Sequence, residues 1–331
     1  MSTVATTAAR PRRVTARAVE GQELVLLGVL AVLWVALTIA VDTFFTASTL
    51  QDLLASVAPV TIVGIGMTAI IVTGGIDVSV GAALAVVMVV VGQLVRDSGM
   101  AFLPAVGVAL AIGAALGLVN GALVAYGRVH PIIITFATLN LYRWLAYQLF
   151  GGEEVNNIPG TLGALGGGAE GRAIGLPNAW VLAILLGAVM WFYMRSSPTG
   201  RHLYAIGNDP HAARLQGVRV TRRLVSVYTI TGALVGLAAC VLIGGGGRIG
   251  QAVGTGFELQ VIAAVVIGGT SILGGRGTVL GTVLGALLVG TVSAAVTLLG
   301  WPSELSALFI GVFILVAVGV DLLRQRRRSS L

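Results

Sequence analysis

The chain has 331 residues, of which 56% are hydrophobic and 10% charged. Soluble domains carry about 25% charged residues, so this composition, with a mean hydropathy of +0.98, excludes a soluble globular protein. The net charge of +7 follows membrane topology and gives no reason to expect a nucleic-acid partner. All twenty basic residues are arginine, and a chain without lysine cannot form the phosphate-binding loop G-x-x-x-x-G-K-[ST]. If ATP drives this protein, another polypeptide binds it, and no cofactor is expected on this chain. Cys240 is the one cysteine, so no intrachain disulfide is possible.

The N-terminal arginines Arg10, Arg12, Arg13 and Arg17 precede an apolar run at 24–41, which mimics a signal peptide. Thr38-Ile39-Ala40 is a poor cleavage site, and an uncleaved first helix is expected. Apolar runs near the ~17–25 residues that span a bilayer recur at 24–42, 53–73, 77–95, 101–126, 131–150, 179–194, 223–243, 257–274, 278–299 and 303–323. The expected fold is therefore all-α and polytopic, with about ten transmembrane helices, some short or glycine-broken. A tail at 1–23, a membrane domain at 24–323 and a basic tail at 324–331 follow.

Arginine placement orients the helices. With the N-terminus inside, the cytoplasmic segments are the N-terminal tail, the turn at Arg128, the loop 195–223, the turn at Arg276 and the C-terminal tail, and sixteen of the arginines fall there. The opposite side has Arg96, Arg172 and Arg248, and Arg143 lies within a span. That bias is the positive-inside pattern, with both termini cytoplasmic. The outer loop 151–178, with Glu153, Glu154 and Glu170, is either a docking surface for an external partner or a flexible connection. Glycines cluster at the ends of the apolar runs, which suits close helix packing or broken helices lining a cavity. Ile71-Val72-Thr73-Gly74-Gly75-Ile76 and Val266-Ile267-Gly268-Gly269-Thr270-Ser271 echo each other, as internal duplications in transporters do.

The polar segment 196–223 holds Arg201, Arg214, Arg219, Arg222 and Arg223 against one acid, Asp209. Asn208 is the expected N-cap of a short helix, Pro210 suits its first turn, and Gly217 suits the left-handed position past its end. Ala212, Ala213 and Leu215 lie near Arg214 on that helix. It either docks a partner or is a plain surface helix.

No nucleophile constellation or metal-ligand spacing involves His130, His202 or His211, and no intramembrane proton relay is visible. Arg143 and Asp77 are expected to line or brace a polar pathway with Asn120, Thr135, Asn140, Tyr142 and Gln148. Glu258 and Glu304, at the starts of outer-facing spans, read as plain interfacial charges.

Five stretches, covering about residues 50 to 320, carry a family resemblance. They are Val72-Thr73-Gly74-Gly75-Ile76-Asp77-Val78-Ser79-Val80-Gly81, the Asn120-Gly121 turn, Pro131 with the stretch ending in Arg143, the sequence AIGNDPHAARLQGV, and the glycine-rich run from Phe257 to Gly290. In these the chain resembles the permease subunit of ribose-type ABC importers for simple sugars. The resemblance implies two permease chains, identical or paralogous, two cytoplasmic ATPase subunits and an extracytoplasmic sugar-binding protein, in the bacterial plasma membrane. It makes the segment around Asn208, Ala212, Ala213 and Gly217 the helix that couples to the ATPase. The chain departs from the family at Trp144, where glycine is frequent, and at 293–299, where asparagines are. The alternatives are a solitary carrier and the same permease type for a nucleoside or branched-chain amino acid. An enzyme is not expected.

Overall fold

The computed structural model describes residues 21–127, 129–166 and 171–329, with side chains as far as residue 319. The expectations for Arg10, Arg12, Arg13, Arg17, Arg128 and Glu170 lie outside the described residues, as do the side chains of the C-terminal arginines. In chain order the helices are α1 (Gly21–Ala40), α2 (Ala47–Val72), α3 (Val80–Ser98), α4 (Phe102–Gly127), α5 (Pro131–Phe150), α6 (Asn178–Ser196), α7 (Pro198–Asn208), α8 (Pro210–Leu215), α9 (Val220–Gly245), α10 (Phe257–Ile267), α11 (Val279–Leu298) and α12 (Glu304–Ser329). Between α5 and α6 lie a 3₁₀ turn (Gly160–Leu165) and the two-residue antiparallel strands β1 (Arg172–Ala173) and β2 (Leu176–Pro177).

Each expected apolar run coincides with a helix, but the helices are unequal. Among the described residues seven are long and apolar enough to cross a membrane: α1, α2, α3, α4, α6, α9 and α11. The run expected at 257–274 is cut short. Helix α10 has 11 residues, about 16 Å of rise, because Gly269, Gly274, Gly275 and Gly277 all take positive φ and turn the chain back through a loop.

Helix α2 is the central post. From Val57 to Val72 every residue is buried, as a helix apolar all round should be. Its polar side chains find partners within the bundle: the Thr68 hydroxyl meets Thr282 Oγ1 at 2.6 Å. Around α2 the helices approach through glycine. Gly113, Gly117 and Gly121 stand on one face of α4, four residues apart, against Tyr228, Gly232 and Gly236 of α9. A Cβ on Gly117 would strike the carbonyl of Tyr228, and one on Gly232 the carbonyl of Gly113. Apolar burial does not drive helices together in lipid, so such close backbone packing carries the association.

The bundle has two poles. At the first, Thr278 Oγ1 donates to Glu23 Oε1 at 2.6 Å, Gly275 N to Val72 O at 2.9 Å, and Tyr204 OH to Gly277 O at 3.0 Å. At the second, Val155 and Ile249 exchange backbone bonds of 3.1 and 2.9 Å, and Gln51 Nε2 donates to Gly175 O at 2.8 Å.

The echoing stretches share a backbone ending. After α2, Gly75 N donates to Ile70 O at 3.1 Å and Gly74 N to Ile71 O at 2.8 Å. After α10, Thr270 N donates to Val265 O at 3.2 Å and Gly269 N to Val266 O at 2.9 Å. Both are the paired bonds of a Schellman ending, whose left-handed position falls on Gly74 (φ +82°) and Gly269 (φ +95°), where glycine escapes the Cβ penalty.

The glycine seam gives a first prediction. Gly117→Val adds bulk where only backbone can yield and should cost about 1–3 kcal/mol or more. Gly107, which has open space around it, should tolerate alanine. Thermal unfolding in detergent checks both variants.

Candidate functional site

Two non-helical stretches enter the bundle, and the second packs on the start of α3, where the first ends. The first, 73–79, joins α2 to α3, and the second, 246–256, joins α9 to α10. A Cβ on Gly81 would strike Gly254 O and the Glu258 carboxylate, and one on Gly254 would strike Gly81 O. Irregular backbone at membrane depth is tolerated only where protein buries it or a cavity receives it. Seven residues separate Asn120 from the end of α4, so the first stretch climbs back about 10 Å from the first pole before α3 begins.

A polar cluster forms on this climb. Asp77 is 3% exposed. Its carboxylate accepts from Ser79 N at 2.9 Å and Ser79 Oγ at 2.7 Å, and from Asn120 Nδ2 at 3.2 Å. The Asn120 amide also donates to Ser79 Oγ at 2.7 Å. Tyr142 OH lies 2.9 Å from Leu116 O and 3.2 Å from Asn120 Oδ1, with one hydrogen for the two acceptors. Thr135 Oγ1 accepts from Val78 N at 3.3 Å and donates to Ile76 O at 3.0 Å, which fixes the non-helical backbone on either side of Asp77. No ion pair to Asp77 occurs among the described residues, so neutral donors compensate its burial.

Arg143 belongs to the second stretch: its Nη1 donates to Val253 O at 2.7 Å. Helix α5 thus holds both breaks, the first through Thr135 and the second through Arg143. Asn140 and Gln148 do not join the cluster. Both are exposed, and Asn140 Nδ2 bonds Phe136 O of its own helix at 2.8 Å. The stripe Thr135, Thr138, Tyr142, Ala146 and Phe150 faces inward, and Asn140 and Gln148 fall off it.

Two participants, Ser79 and Tyr228, are not singled out by the sequence, and the expectation for a third, Glu258, is corrected. Ser79 has a signal in hindsight, because Asp-x-Ser after a glycine pair favours a local side-chain-to-backbone turn. Tyr228 is fully buried, and its hydroxyl has no hydrogen-bond partner among the described residues. A Cβ on Gly75 would lie 2.7 Å from that oxygen. Glu258 is not a plain interfacial charge: its Oε2 is buried, without a partner, over Gly81. The short α10 starts deep in the bundle and carries Glu258 with it. Unmet buried polar groups cost about 1–3 kcal/mol each, and these two lie at either end of the Asp77 segment, against Gly75 and Gly81. No cluster of metal-binding side chains occurs among the described residues.

At the first pole the polar segment forms two short helices. Asn208 is not a cap; it ends α7. The cap of α8 is Asp209, extended at φ −160°, whose Oδ1 accepts from His211 N at 2.8 Å and Ala212 N at 3.0 Å. The backbone N–H of Ala212, then that of His211, holds the Asp209 carboxyl below its usual range. Its folded pKa is depressed, so the cap is present above the ordinary carboxylate range and is lost as pH falls through the lowered value. Gly217 takes φ +82°, as expected. Ala213 is buried against Ile206 and Val220, whereas Arg214 and Leu215 face out, Leu215 being 78% exposed.

The end of α7 is seated on both loops of that pole. A Cβ on Gly207 would strike Val72 O and crowd Gly275 N, and one on Gly275 would strike the Asn208 side chain. Gly274 packs on Gly74. The surface helices therefore touch the backbone that leads, five residues on, to Asp77.

The cluster predicts an asymmetry between two asparagines. Asn120→Ala leaves Asp77 and Ser79 short of a donor and should cost about 1–3 kcal/mol. Asn140→Ala should stay within about 0.5 kcal/mol. Thermal unfolding of the two variants decides it.

Comparison with known proteins gives consistent relatives. A fructose import permease protein, FrcC of Rhizobium meliloti, is 37% identical over 286 residues, which cover 84% of this chain and 79% of the relative. The ribose import permease protein RbsC of Escherichia coli (strain K12) is 37% identical over 284 residues, 85% of this chain and 88% of the relative. The autoinducer 2 import system permease protein LsrD of Photorhabdus laumondii is 33% identical over 260 residues, 78% of each chain. No solved structure matches. The model of the family described as "branched-chain amino acid transport system / permease component" matches residues 49–318, and the chain belongs to that permease family.

Proposed function

We propose that this chain is the membrane subunit of an ATP-binding-cassette importer that brings a neutral simple sugar across the bacterial plasma membrane. The observation that carries this reading is the seat of α7 and α8. They present Arg214 and Leu215 outward while Gly207 and Asn208 rest on the loops at Val72 and Gly275. A partner docking there pushes on backbone continuous with the Asp77 cluster. The chain lacks lysine, so the ATP site belongs to that partner, a separate ATPase.

Charge supports the orientation. Arg195, Arg201, Arg214, Arg219, Arg222, Arg223 and Arg276 lie in segments of the first pole, and Arg96, Arg172 and Arg248 in segments of the second. The first pole is then cytoplasmic, with both termini on that side. The second pole, with the loop 151–178, receives an extracytoplasmic sugar-binding protein. Asn140 and Gln148, exposed on the outer side of α5, are costly against lipid. They line the path, with Arg143 and Tyr142 behind them, where a second permease chain, identical or paralogous, faces α5.

The relatives' named cargoes favour a sugar. The family description favours a branched-chain amino acid, but that cargo brings an ammonium and a carboxylate. Asp77 is already held by Ser79 and Asn120, and Arg143 is engaged on Val253 O. An uncharged cargo, bound by hydroxyls and amides, fits better.

Arg214→Glu combined with Leu215→Asp tests the docking surface. We expect the variant to reach the membrane in normal amount, to lose the co-purifying ATPase, and to lose uptake by at least about tenfold, since interface anchors of this kind carry ~2 kcal/mol or more. Normal uptake would overturn the assignment.

A further inference from the structure

Because α10 rises only about 16 Å, helix fills half of its column. On the side of the second pole the remaining space, between α2, α10 and α11, is a cavity of about 500 Å³, within the ~300–1,000 Å³ of small-molecule sites. It runs along the first half of α2 and the second half of α11, and reaches the first turn of α10 at Gln260. Two polar stripes line it: Thr49, Asp52 and Ser56 on α2, and Ser293 and Thr297 on α11, with Gln260 on α10. Aliphatic side chains form the rest.

The stripes follow helical spacing, so each presents its polar atoms to one space. A lipid-facing stripe holding a carboxylate would be expensive, whereas a water-filled cavity accommodates it. Ser56 Oγ donates to Leu53 O at 2.8 Å and Thr297 Oγ1 to Ser293 O at 3.1 Å, so these hydroxyls offer lone pairs to a visitor. The side chains of Asp52 and Gln260 make no hydrogen bond among the described residues, and that of Gln260 brings two donors and an acceptor. The lining contains no cation and one carboxylate. That set recognises a small, uncharged, polyhydroxylated molecule, whose hydroxyls give to Asp52 and take from Gln260.

Gln260 and Glu258 share the first turn of α10, Gln260 on the cavity and Glu258 over Gly81. Cargo on Gln260 thus sits on the helix turn whose Glu258 reaches the start of α3, just past the first break. We propose that the cavity is a receiving site on the extracytoplasmic side, where a neutral polyhydroxylated cargo binds before it reaches the Asp77 cluster, with Asp52 and Gln260 as its anchors. The proposal rests on the sugar-import reading.

The test uses the assembled complex in proteoliposomes, with buried Cys240 replaced by alanine and Ser293→Cys introduced. Uptake of d-ribose and d-fructose is measured first, and the transported sugar is the probe. A membrane-impermeant cationic methanethiosulfonate should label Cys at 293, and near-saturating sugar should slow labelling at least about fivefold. Gln260→Leu should abolish that protection, and Gln260→Asn should keep part of it. Labelling unaffected by a transported sugar, or equal protection with Gln260→Leu, overturns the receiving site and leaves the importer reading standing. Labelling by a lipid-soluble maleimide alone shows a lipid-filled cavity and also overturns it. If the complex takes up neither sugar, the sugar reading falls and the receiving site falls with it.

Discussion

Backbone that leaves the helix inside a bilayer has no water to satisfy its N–H and C=O groups. This chain leaves the helix twice, at 73–79 and 246–256, and the rest of the structure answers that constraint. Thr135 takes one orphan N–H and gives to one orphan carbonyl of the first stretch. Arg143 takes a carbonyl of the second. Glycines at 81 and 254 let the second stretch touch the first turn of α3, where the first stretch ends. Arg143, a basic side chain within an apolar run, is thus a clamp on the opposite break.

The same breaks connect surface to interior. At the first pole the Schellman endings of α2 and α10 place Gly74 and Gly274 in contact, and Gly207 and Asn208 complete the junction. Each contact is backbone on backbone or a short side chain on backbone, so little slack separates a movement of α7 from one at Val72. From Val72 the chain runs through one glycine pair to Asp77. The glycine seam between α4 and α9 fixes the other wall, since Asn120 of α4 bonds the cluster and Tyr228 of α9 faces it. Rigid walls with a hinged break between them are a sound architecture for alternating access.

Much of this was legible in the sequence. Polar residues inside apolar runs stand out, so the sequence alone marks Asp77, Asn120, Thr135, Tyr142 and Arg143 as candidates. Helical phase separates Asn140 and Gln148 from them, because the stripe Thr135, Thr138, Tyr142 excludes both. Other features depend on geometry that composition does not carry. Asn208 and Asp209 are equally good caps, and the extended backbone at Asp209 decides between them. Glu258 looks interfacial unless α10 is known to be short, and its length is set by glycines on either side. Tyr228 is indistinguishable from an ordinary core tyrosine until Gly75 is placed beside its hydroxyl.

The central claim is that docking at α7 and α8 moves the Asp77 break through the Gly207 junction. Gly207→Ala in the reconstituted complex tests it most directly, because the added Cβ pushes on Val72 O and leaves the exposed face of α8 untouched. ATP hydrolysis and sugar uptake are measured on the same vesicles. The account predicts that the ATPase stays bound and keeps hydrolysing, while sugar moved per ATP falls at least about tenfold, the size of a ~1.4 kcal/mol coupling loss. An unchanged ratio of sugar to ATP would contradict it.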